Sequence, residues 1–126
     1  MTPAVAEAVE EIKAAHLGAT IAVREDGGGG AFVTVEPVDP GSAYTQRETW
    51  IGFQITFQYP YADVYPHFVR GDLTRLDGQP LGEAMSSSTF EGRSAVQISR
   101  KSNRLNPASD TAAVKLMKIL EWLRNR

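Results

Sequence analysis

Between Gly92 and Arg104 the chain places Arg93, Arg100, Lys101 and Arg104 among the hydrogen-bonding side chains of Ser94, Gln97, Ser99, Ser102 and Asn103. Guanidinium groups offer planar, bidentate donors to carboxylates and phosphates, and neighbouring amides and hydroxyls complete such a grip. The segment reads as a surface loop that holds a partner's anionic groups. The same charges also fit a solvated loop that caps the final helix or pairs with local acids. No aromatic side chain lies inside the cluster, so it lacks the stacking platform of a single-strand nucleic-acid site.

Other residue types give weaker chemistry. The run Asp26-Gly27-Gly28-Gly29-Gly30 is followed by Ala31-Phe-Val-Thr-Val, a strand pattern with no Gly-Lys-Ser/Thr, which suits a hairpin and not a phosphate loop. His16 and His67 are the only histidines, and neither has a metal-ligand spacing partner. His16 fits a helix end, where it meets carbonyls, and His67, between Pro66 and Phe68, fits a structural position. The serines lack a Gly-x-Ser-x-Gly frame. Asp63, Asp72, Asp77 and Glu83 are scattered among loops, where carboxylates are ordinarily solvated. With no cysteine in the chain, disulfides, thiolate metal sites and thioester chemistry have no residue to use. No cofactor and no metal are expected.

These residues have to be positioned by a single domain, since 126 residues suffice for one core without staples. Thirteen basic and fifteen acidic residues give a net charge of −2, so no global field favours nucleic acid or an anionic membrane. No apolar run approaches the roughly 20 residues that cross a bilayer, and the first residues lack the pattern of a signal peptide, so a cytoplasmic location is expected.

The first element reads as a helix, with Thr2 as N-cap, Pro3 at its first position and Val5, Val9, Ile12 and His16 spaced by three and four. Glu10 flanks this stripe, and Gly18 is a stop signal. Strand patterns follow at Ile21–Arg24, at Phe32–Glu36, which Pro37 should end, and at Glu48–Phe57. In the last, Thr49, Ile51, Phe53, Ile55 and Phe57 alternate with Glu48, Trp50, Gly52, Gln54 and Thr56, which argues for an antiparallel sheet with one buried face. His67–Arg70 fits a short fourth strand. From Gly71 to Asn106 the pattern weakens: Ser86-Ser87-Ser88 is too polar for core, and Ala95–Ser99 fits either a short strand or a packed loop. A last helix opens at Asn106-Pro107 or Ser109 and carries Ala113, Leu116, Met117, Leu120 and Leu123, widened by Val114, Ile119 and Trp122. The expected fold is α+β: a four-stranded antiparallel meander flanked by an N-terminal and a C-terminal helix, over residues 1–126.

That order resembles the ubiquitin-conjugating enzymes, in which a helix and a meander run into a Tyr-Pro-x-x-Pro-Pro crossing. Here Phe53-Gln-Ile-Thr-Phe57 stands for the ending strand, and Tyr59-Pro60 with Tyr65-Pro66 for the crossing. The prolines are spaced differently from the family's, and the family's His-Pro-Asn tripeptide is missing. Its Gly-x-x-Cys is represented by Gly92-Arg-Ser-Ala95, which puts Ala95 at the cysteine offset, with Gln97 or Ile98 fitting almost as well. The compact length is similar to small bacterial conjugating-enzyme-like proteins and RWD-type domains. The resemblance implies a non-catalytic adaptor in a bacterial ubiquitin-like pathway, binding a ubiquitin-like protein or an activating or conjugating partner. Tyr61 and Tyr65 of the crossing and Arg93, Gln97, Arg100, Lys101, Asn103 and Arg104 are its candidate binding residues. Two alternatives stay open: an active enzyme present as a cysteine-substituted variant, and a nucleic-acid-binding module that uses residues 93–104.

Overall fold

The computed structural model describes residues 1–126. Helix α1 (Pro3–Ala15) begins as its cap residues dictate, Thr2 Oγ1 accepting the Val5 N–H at 3.2 Å. Strands β1 (Thr20–Glu25), β2 (Ala31–Val38), β3 (Thr49–Ile55) and β4 (His67–Arg70) follow, then β5 (Met85–Phe90), β6 (Arg93–Ile98) and helix α2 (Ala112–Arg124). The strands form one antiparallel sheet in the order β1-β2-β3-β4-β6-β5. The β1–β2 turn is built by Asp26, whose carboxylate accepts the Gly28 and Gly30 N–H groups at 2.8 and 3.0 Å. Pro37 interrupts the β2–β3 ladder without ending it: the register shifts between Val35 and Val38, and pairing resumes at Val38 with Thr49.

Both helices lie on one face of the sheet. Val5, Val9, Ile12, Leu116, Leu120 and Leu123 pack there against Val33, Val35, Ile51, Phe53, Ile55, Val69, Val96 and Ile98. The sheet has six strands where the sequence suggests four. The serine-rich edge strand β5 buries neither face fully, so no alternation marks it, and β6 is paired on both sides. The basic segment is correspondingly no single loop, because Arg93–Ile98 is strand.

A second correction concerns the other face. β3 is buried on both sides, because the β5–β6 hairpin folds over the face without helices. Phe90 stacks at 5.9 Å on Trp50 and at 4.9 Å on Phe68, and meets Phe32 edge-on at 6.1 Å. Its ring occupies the space above Gly52, where a Cβ would come 2.5 Å from Phe90 Cε2. At the hairpin tip Glu91 receives two bonds from Arg24 of β1, at 2.7 and 3.0 Å, so side chains tie the first strand to the β5–β6 turn.

The crossing from Thr56 to Pro66 ties this sheet to α2. Tyr59 is buried, and its hydroxyl accepts the Ala112 N–H at 3.0 Å, one of the donors left over at a helix start. At the far end Tyr44 Oη donates to the Leu123 carbonyl at 3.3 Å. Phe57, which alternation assigns to the buried face, is 59% exposed, because β3 ends at Ile55 and the chain turns there. Helix α2 starts later than Ser109: Thr111 is its N-cap, and Asn106–Asp110 forms a turn closed by the Asp110 carboxylate on the Asn106 N–H at 2.7 Å. No helix is long and apolar enough to cross a membrane.

Candidate functional site: a basic cleft beside helix α2

The segment after β6 runs along α2, and between them lies a cleft of ≈ 300 Å³ lined by Arg100, Lys101, Ser102, Asn103, Asp110, Lys115, Lys118 and Trp122, with Ile119 at its base. Helical spacing explains half of it. Residues 115, 118 and 122 are three and four apart, so Lys115, Lys118 and Trp122 share one face of α2. The other half comes from Arg100–Asn103, which leave the sheet at the end of β6 and are pinned by Asp63 of the crossing. The Asp63 carboxylate accepts the Ser102 N–H at 2.7 Å, the Ser102 hydroxyl at 2.9 Å and the Lys115 ammonium at 2.9 and 3.1 Å.

Burial pushes the Asp63 carboxyl up, but the Ser102 amide, the Lys115 ammonium and the Ser102 hydroxyl together outweigh it and hold it below the usual carboxylate range. Lys115 is 6% exposed, and its Nζ also donates to Ser102 Oγ at 2.8 Å. A serine–lysine nucleophile pair needs an amine free to take the serine proton. Here Asp63 engages both groups at once, so the cluster holds charge in place and orients the loop.

Behind it sits His67, wholly buried, with its ring 5.1 Å from Phe53. Burial first, and then the Lys115 charge, lower its pKa to about 3 against the opposing pull of Asp63. No protein group hydrogen-bonds to either ring nitrogen.

The cleft's rim differs from its floor. Arg100 and Lys101 have no carboxylate partner. Each instead lies over an aromatic ring, Arg100 at 4.9 Å from Trp122 and Lys101 at 5.2 Å from Tyr65. Lys118 reaches Asp110 only at 3.5 Å. Four cations thus face two carboxylates, Asp63 and Asp110, and the two unpaired cations stand at the rim. Cations so placed have N–H groups free to donate to carboxylates or phosphates.

Of the candidate binding residues, the fold brings Arg100, Lys101 and Asn103 together, with Tyr65 under Lys101. The others stand apart. Strand β6 separates Arg93 from Arg100 by roughly 20 Å. Arg93 lies over Trp50 on the hairpin side, and Gln97 donates to Ser99 at 3.0 Å. Arg104 is exposed with φ +54°, and Tyr61 is 80% exposed in the turn of the crossing. Ala95 is 2% exposed within the Trp50–Phe90 cluster and paired on both sides, with Arg70 and with Ser88. Asp63, Lys115, Lys118 and Trp122 complete the site beyond the candidates the sequence offers, although the spacing of the last three along α2 is itself a local signal.

No three His, Asp or Glu side chains converge as metal ligands. Comparison with known protein families, curated proteins and solved structures finds no match for this chain.

Proposed function

We propose that this chain is a non-catalytic binding domain that holds an acidic protein partner in the cleft beside α2. The observation that carries the reading is the pair of unpaired, aromatic-backed cations, Arg100 on Trp122 and Lys101 on Tyr65, above the buried Lys115. A stacked cation is held in place before binding and loses little freedom when a carboxylate arrives. Rim charges of this kind mainly set association rate and partner choice.

In its finer form the proposal makes the domain a conjugating-enzyme-like adaptor of a bacterial ubiquitin-like pathway, whose partner is a ubiquitin-like protein or an activating or conjugating enzyme. The order of helix, meander and Tyr-Pro crossing supports it, as does the position of the cleft directly beside that crossing. The alternative of a cysteine-substituted active enzyme has less to stand on. A reactive thiolate needs access, whereas position 95 lies under Trp50 and Phe90 and Ile98 belongs to the main core, which leaves half-buried Gln97 as the one accessible candidate position.

Pull-down of candidate ubiquitin-like proteins and activating enzymes tests the proposal, with Arg100→Glu as the control. Capture by the wild type that Arg100→Glu abolishes is the expected result. Failure of the wild type to bind any of these candidates sinks the adaptor reading. Binding to DNA or RNA that falls steeply with salt would replace it with the nucleic-acid reading.

A further inference from the structure

The geometry points to a second binding site, at the far end of β6, for a small zwitterion of the amino-acid class. A cleft of ≈ 530 Å³ opens where β2, β3, β4 and β6 come together, between Glu36, Glu48, Arg70, Asp72 and Arg93. Its size falls in the range of small-molecule sites, roughly 300–1,000 Å³. The indole of Trp50, 6% exposed and packed on Phe90, forms one wall.

Charge and its pairing choose the ligand. Arg70 is engaged, donating to Asp72 at 2.6 and 2.9 Å and to the Glu48 carbonyl at 3.0 Å. Arg93 is not: its guanidinium carbon lies over the Trp50 ring, 3.8 Å from the centroid, and no carboxylate pairs with it. Stacking fixes the plane of the fork and leaves its N–H edges free for a carboxylate. The Glu36 and Glu48 side chains in the same cleft are also without an ion-pair partner. A simple anion drawn to Arg93 would be repelled by both, and a simple cation would meet Arg93. One molecule carrying a carboxylate and an ammonium group satisfies all three, with its carboxylate on Arg93 and its ammonium toward Glu36 and Glu48.

The site is tested by following the Trp50 indole N–H by NMR, assigned with Trp122→Phe, while titrating L-alanine, 4-aminobutyrate and 6-aminohexanoate, which differ in charge separation. Acetate and propylamine serve as the two half-ligands. At least one zwitterion is expected to saturate the Trp50 shift and to bind more tightly than either half-ligand. Arg93→Gln then weakens it by at least about tenfold, the worth of a charge-assisted hydrogen bond. Glu48→Gln weakens the zwitterion and strengthens acetate. Arg100→Glu leaves the titration unchanged, which separates this site from the basic cleft. The inference is overturned if no zwitterion surpasses both half-ligands, or if Arg93→Gln binds as the wild type does.

Discussion

Lys115 Nζ lies 2.9 Å from Asp63 Oδ2, joining the middle face of α2 to the Tyr-Pro crossing with the Lys115 side chain only 7% exposed. Through this pair the cleft's floor is bonded to the same residue that pins its rim, since Asp63 also holds both polar groups of Ser102. Removing one member of a buried pair leaves the other's charge uncompensated. Asp63→Asn should therefore lower unfolding free energy by about 3 kcal/mol, and Lys115→Met by less, because Asp63 keeps its Ser102 bonds. Urea unfolding measures both.

Asp63 also sets a pH dependence. Its carboxyl is held below the ordinary value, so the unfolded chain takes up the proton first on acidification. The stabilisation is complete above the unfolded carboxyl pKa of about 4 and is lost as pH falls through the lower folded value. Asp63→Asn should flatten the stability curve in that acid range.

His67 acts in a higher window. Its folded pKa of about 3 lies below the ordinary 6.5, so between these values the unfolded chain binds a proton that the folded one excludes. Stability is complete above pH 6.5 and falls with acidification, by up to about 1.4 kcal/mol per pH unit. His67→Leu should remove this slope. Denaturant midpoints measured between neutral pH and pH 4 will show it, and an unchanged slope in the variant would assign the acid sensitivity elsewhere.

The hairpin over the second face depends on Gly52. A Cβ there meets three Phe90 ring atoms at 2.5–3.0 Å. Gly52→Ala should cost about 1–3 kcal/mol as an overpacked site, and Phe90→Ala about 3 kcal/mol through lost burial. The double variant should be less damaged than the sum of the two, since removing the ring gives the new methyl room. Thermal unfolding of the three variants checks this.

How far the sequence foretold this structure depends on whether a residue's neighbours in space are also its neighbours in the chain. Thr2, Pro3 and the apolar stripe marked α1, the alternation of Thr49–Ile55 marked β3, and the glycine run marked a hairpin, because those signals are local. Strand β5 carries no such signal, because Ser86, Ser87 and Ser88 lie on an edge with little burial to create a pattern. The one local clue was Glu91-Gly92, both at positive φ, +49° and +79°, as a two-residue hairpin turn requires. In the site, Arg100, Lys101 and Asn103 were readable as a cluster. Arg93 is near them in the chain but far in space, because the residues between, 94–98, are strand. Asp63 was out of reach, since its partner Lys115 lies 52 residues away.

In the proposed function Arg100 and Lys101 form the gripping rim of a binding domain. An NMR titration of the labelled chain with a bacterial ubiquitin-like protein tests it most directly. Saturable shifts concentrated at Arg100–Asn103, Lys118 and Trp122, lost in Arg100→Glu, are the expected result. A saturable complex whose shifts leave those residues untouched, or one that Arg100→Glu does not weaken, would contradict it.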